Sequence, residues 1–112
     1  MLKSEYFKVK LRNNLGDFMM STLPTDLKRV SKKEIDQEIA RVGMIAELDA
    51  VNFYEQLAAM TDNKDLKVML MDIAKEEKTH LGEFEALLLD SDKEQVRELE
   101  AGKKEVKEKT GK

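Results

Sequence analysis

The chain has 112 residues, 38% of them charged and 5% aromatic, with a single proline and a net charge of −3. That length holds one small domain of three or four helices, and so few aromatics and prolines favour helix over sheet. The lack of cysteine excludes disulfides, iron–sulfur clusters, thiolate zinc sites and cysteine-bound iron; no apolar run nears the ~20 residues of a membrane span and no secretory signal is legible, so a cytoplasmic protein is expected.

The first third is basic and the middle acidic. Residues 1–33 hold eight Lys and Arg against three acids, and residues 34–90 hold five against fourteen. An acidic middle attracts cations and repels nucleic acid, so neither nucleic acid nor membrane is expected as a partner. Most of these acids are expected to be solvated helix surface.

Residues 1–30 are expected to be a largely disordered segment, since Asn13, Asn14, Gly16 and Pro24 interrupt a stretch without helical periodicity. Within it, Gly16-Asp17 ahead of Met19-Met20 suits a ribosome-binding sequence read as codons, with Met19 or Met20 as the natural start. A helical domain is expected over 31–108, followed by a tail over 109–112. Ser31-Lys32-Lys33-Glu34 and Ser91-Asp92-Lys93-Glu94 both read as Ser-x-x-Glu capping boxes, which open helices. The first helix is expected over about 31–60, where Thr61-Asp62-Asn63 makes a short turn. The second follows over about 63–89, antiparallel to the first. A third, over about 92–107, is charged nearly all round and carries only Val96, Leu99 and Val106 as large apolar residues. It is expected to pack weakly or to serve a neighbour.

Two long helices cannot cover each other's apolar faces. Met44, Ala50, Val51 and Leu57 on the first, and Met69, Leu70, Ile73, Leu81, Phe84, Leu87 and Leu88 on the second, need more cover than the polar third helix offers. The expectation is association between copies of the chain.

Charges interrupt these apolar stripes at one level. Glu77 and His80, three residues apart, leave the second helix on one face between Ile73 and Phe84. Glu47 sits in the stripe of the first helix, and the turn centre near Asp62 lies fifteen residues from both Glu47 and Glu77. A buried carboxylate pairs, shifts its pKa or binds metal. Glu47, Glu77 and His80 are therefore the candidate metal ligands and catalytic residues. Oxygen and imidazole donors without sulfur suit iron, manganese or zinc. Ferritin-like bundles build a di-iron centre from two single glutamates and two Glu-x-x-His motifs. This chain, with one histidine, supplies half of that set, so two copies must meet to complete it. Tyr54, two turns beyond Glu47, either hydrogen-bonds a ligand or packs. Asp49 and Glu83 either guide incoming ions or lie solvated. The methionines read as core filling rather than soft-metal ligands.

The stretches from Ala46 to Tyr54 (AELDAVNFY) and from Ala74 to His80 (AKEEKTH) resemble the encapsulated ferritins. The likeness covers about 31–108. It implies an all-α fold, a helical hairpin plus a short C-terminal helix, with the ferritin-like four-helix bundle completed by dimerisation. It also implies a homodimer assembling into a ring, commonly a decamer, that oxidises ferrous iron at a di-iron site between subunits. Manganese or zinc are expected substitutes. The protein would work inside an encapsulin nanocompartment, with the shell protein as partner. Carried over, Glu47, Glu77 and His80 match the iron ligands and Tyr54 a tyrosine beside them. One departure is Ala46, at one of two positions where some members carry ion-guiding acids, the other being Asp49 here; another is Phe53 in place of a tryptophan. Residues 109–112 show no apolar shell-targeting tag, and whether one follows Lys112 is open. Two other readings stand beside this one. A rubrerythrin-like peroxidase is opposed by the missing cysteines, and the non-enzymatic alternative is a helical assembly module with a structural metal or none.

Overall fold

The computed structural model describes residues 31, 32 and 34–112; the expectations for the N-terminal segment and its start codon lie outside them. Three helices follow in order: α1, Ile35–Met60; α2, Lys64–Ser91; and α3, Lys93–Thr110. No strand occurs among the described residues. α1 and α2 form the antiparallel hairpin, and α1, with 26 residues, is about 39 Å long at ~1.5 Å per residue.

The turn is built from side chains that satisfy orphan backbone groups. Asn63 accepts from the Leu66 amide at 3.0 Å, capping α2, while Thr61 Oγ1 accepts from the Asn63 amide at 3.1 Å. Asparagine is among the best N-caps because its short carbonyl reaches the first-turn amides.

Both expected capping boxes need correction. α1 begins at Ile35 with Glu34 in the cap position and no side-chain cap. Ser31 instead directs its hydroxyl to Glu34 Oε2 at 3.3 Å. At the other end, Ser91 closes α2, donating to the Leu88 carbonyl at 3.3 Å, and Asp92 caps α3 by accepting from the Gln95 amide at 3.0 Å. A carboxylate competes well for a helix N-terminus, where the amide dipoles favour negative charge. The second oxygen of Asp92 accepts from Arg41 Nη2 at 2.9 Å, tying the start of α3 to α1. The Gln95 amide first, and then Arg41, hold the Asp92 carboxyl below its usual range. α3 ends three residues later than expected, with Gly111 at φ 74° donating to the Lys107 carbonyl at 2.8 Å. That left-handed C-cap suits glycine, which has no Cβ to clash.

The hairpin packs on small residues. Ala40, Val51 and Ala58 of α1 and Ala74 and Leu88 of α2 are buried, and alanine lets helix axes approach closely. Of the apolar residues expected to need further cover, Met69 and Leu87 are exposed, at 54% and 69%. Two helices have only one mutual face, and these residues fall off it. On α1, Ile39, Ile45 and Leu48 are exposed as well. α3 contributes no buried residue, which agrees with its expected weak packing.

Candidate metal centre

The hairpin carries Glu47 from α1 to the level of Glu77 and His80 on α2. One ligand atom from each of the three lies within 4.8 Å of the other two. His80 Nδ1 stands 3.3 Å from Glu77 Oε2 and 3.5 Å from Glu47 Oε2. The two carboxylates are largely withdrawn from solvent, with side chains 17% and 18% exposed, while the imidazole is 45% exposed. The ligand group therefore has a buried floor and an open side at the imidazole. Glu77 and His80 share a face because they are one turn apart.

The electrostatics of this group are unfavourable without a cation. Glu47 Oε2 is buried and has no hydrogen-bond partner. Its contact with His80 is an ion-pair contact rather than an aligned hydrogen bond. Burial first, and then the neighbouring Glu77 carboxylate, push the Glu47 carboxyl from 4.5 up to about 7, against a smaller opposing pull from His80. His80 is itself raised above 6.5, chiefly by its hydrogen bond to Glu77. Near neutral pH the metal-free cluster holds protons where two carboxylates would otherwise repel. A divalent cation would displace those protons and satisfy the orphaned oxygen. Two carboxylates and an imidazole suit iron, manganese or zinc.

The other singled-out residues stand apart from this group. Tyr54, half-buried, places its ring edge-on to Phe53 at 5.3 Å. Among the described residues no hydrogen bond joins it to Glu47, Glu77 or His80. Of its two readings, the geometry supports packing. Asp49 is half-buried and Glu83 exposed; neither joins the three-residue group. Glu83 still adds a small share to the raised pKa of His80. The Glu55 carboxylate takes Lys78 Nζ at 3.6 Å across the hairpin, a surface pair that sequence reasoning passed over. Opposite charges on two separate helices leave no periodic trace.

A model of the EncFtn-like family matches residues 23–90. The chain is 50% identical over 96 residues to a ferritin-like–encapsulin shell fusion protein of Pyrococcus furiosus, covering 83% of this chain and 28% of that protein. It is 39% identical over 70 residues to the encapsulin nanocompartment cargo protein EncC of Myxococcus xanthus, covering 60% of this chain and 54% of that one. The chain thus spans between about a quarter and just over half the length of these two curated relatives. The crystal structure of the encapsulated ferritin domain from Pyrococcus furiosus matches with a TM-score of 0.71 and 50% identity, over 82% of this chain and 96% of that domain. The chain belongs to the EncFtn-like family, the encapsulated ferritins.

Proposed function

We propose that this protein is a ferroxidase, oxidising ferrous to ferric iron at a site that two copies of the chain share. The observation that carries the reading is the cluster of Glu47, Glu77 and His80, with ligand atoms within 4.8 Å and a buried glutamate oxygen lacking a hydrogen-bond partner. One chain supplies two carboxylates and one imidazole, half the set that a ferritin-like di-iron centre uses. Two copies meeting on this face supply the whole set. The exposed Ile39, Ile45 and Leu48 of α1 leave apolar surface for association between copies. Leu66, Val68, Met69 and Met71 are also exposed and point to all sides of the first half of α2. Exposed apolar surface of this extent supports further association, up to the decameric ring that the family resemblance suggests.

Ferrous iron is the substrate. Two ions and one dioxygen, with two protons, give two ferric ions and hydrogen peroxide. The chain's part is to bind and orient. Glu47, whose carboxyl is raised to about 7, yields its proton as the cations arrive, and His80 presents Nδ1 toward both carboxylates. Ionised carboxylates then favour the more highly charged ferric product. Iron is the metal of this reading, with manganese or zinc as substitutes at the same donors. The relatives are named as an encapsulin shell fusion and an encapsulin cargo protein. On that basis the shell is the partner, the interior of the nanocompartment is the location, and iron storage is the purpose.

Aerobic ferrous oxidation, followed by absorbance with His80→Ala and Glu77→Ala as controls, tests the reading. Loss of oxidation in both variants, with helix content kept, supports it. Rates equal to the parent protein would refute it.

A further inference from the structure

One turn from the ligands, the hairpin has a contact that the ferroxidase reading leaves unused. Gly43 precedes Glu47 by four residues on α1, and Phe84 follows His80 by four on α2. In an antiparallel pair these offsets run the same way, about 6 Å toward the open end of the hairpin. There the Phe84 ring lies against the bare Cα of Gly43. A methyl group built on Gly43 would stand 2.8 Å from three carbons of that ring. Gly82 and Gly102 are also helical, yet an added methyl at either meets nothing within 4 Å. Glycine in a helix interior is less favourable than alanine, and at Gly43 the closeness of Phe84 accounts for its presence.

We propose that Gly43 and Phe84 form a steric key that sets the axial register and spacing of α1 against α2, and so delivers Glu47 to His80. Both are positioning residues, acting through the helices that carry the ligands rather than by binding metal themselves. Packed alanines alone register two helices loosely, because successive turns of small residues offer similar grooves. An aromatic ring seated on a glycine has one matching position. A groove of about 340 Å³ lined by Asp36, Ile39, Ala40, Phe84, Leu87 and Ser91 opens beside the ring. The ring is thus open on the groove side, and Gly43 backs it on the other. Side chains in close-packed regions transmit a displacement of this kind to the next turn. The inference rests on the metal reading for its purpose, and on the hairpin geometry for its existence.

Two readouts separate those dependencies. The first is cobalt(II) binding, followed by its visible absorption, in the full chain. Gly43→Ala should weaken binding about tenfold or more and alter the band shape. Gly82→Ala, the same chemical change into open space, should leave both unchanged. Gly43→Ala combined with Phe84→Leu should recover most of the affinity. The second readout needs no metal. The natural chain has no cysteine, so Glu47→Cys with His80→Cys creates one thiol pair whose intramolecular disulfide formation reports the juxtaposition. Adding Gly43→Ala should slow that closure about tenfold. If closure slows but the parent chain binds no cobalt, the key stands and the ferroxidase reading falls. If Gly43→Ala leaves closure and cobalt affinity at parent values, or Gly82→Ala disturbs them equally, the key is overturned.

Discussion

The hairpin and α3 are both well-formed helix, yet only the hairpin carries the ingredients of a centre. α1 and α2 bury Ala40, Val51, Ala58, Ala74 and Leu88 between them and hold three ligand-type side chains at one level. α3 buries nothing, and its Val96, Leu99 and Val106 are exposed. It is tied down at its start, where Asp92 takes both the Gln95 amide and Arg41. Local rules of capping and propensity thus suffice for a helix to exist. A site needs a second helix whose register is set by side-chain shape.

The strongest test of that contrast removes a ligand. Glu77→Ala or His80→Ala should lower ferrous oxidation by a hundredfold or more, an order of magnitude typical of losing an indispensable group, while circular dichroism stays helical. Any similar loss from a substitution confined to α3, such as Val106→Ala, would break the distinction between the two regions. Gly43→Ala comes next, with its tenfold effect on metal affinity and none on helix content.

The metal-free protein should also answer to pH in a direction set by the cluster. Glu47 is raised from 4.5 to about 7 and His80 above 6.5, so the folded chain binds more protons than the unfolded chain across that window. The Glu47 share of stability is fully present below pH 4.5 and is lost as pH rises to about 7; the His80 share is present below pH 6.5 and is lost above it. Thermal melts of metal-free protein should therefore fall by several degrees between pH 5 and pH 8. Added cobalt(II) should flatten or invert the trend, because the metal takes the place of the protons. A melt that rises with pH in the metal-free state would contradict the buried carboxylate pair.

Smaller effects should stay local. Asp92→Ala removes the α3 cap and the link to Arg41. Amide exchange should accelerate at the first turn of α3 while cobalt affinity is retained. Lys78→Ala deletes a half-exposed pair with Glu55 and should change stability by no more than about 0.5 kcal/mol, as exposed ion pairs usually do.

Much of this was readable along the chain. Apolar stripes marked the two hairpin helices, a capping motif announced the third, and Thr61-Asp62-Asn63 marked the turn within a residue. Glu47, Glu77 and His80 stood out because charges inside an apolar stripe need a reason. The caps were harder. Ser91 and Asp92 compete for one role one residue apart, and which side chain reaches the amides depends on where α2 runs out of partners. Ser31 fits the capping motif, but the helix starts four residues later at Ile35. Met69, read as core filling, is exposed, and so is Leu87, whose need for further cover was legible; a stripe on one helix does not say how wide the partner's matching face is. Tyr54 sits two turns from Glu47 on the same helix, but its ring turns to Phe53 instead. Side-chain rotamers are settled by neighbours, not by spacing.

What the amino-acid order determined alone was helix, turn, and the presence of one glutamate and one Glu-x-x-His at mirrored distances from the turn. These follow from backbone propensity and the 3.6-residue repeat, which act within a few residues. Only tertiary structure decided that His80 Nδ1 faces both carboxylates, that one Glu47 oxygen is buried without a hydrogen-bond partner, and that Phe84 lies on Gly43. Apart from His80 with Glu77, one turn away on the same helix, those are contacts between residues some thirty to forty positions apart, and their geometry depends on how two helical surfaces fit at the level of single atoms.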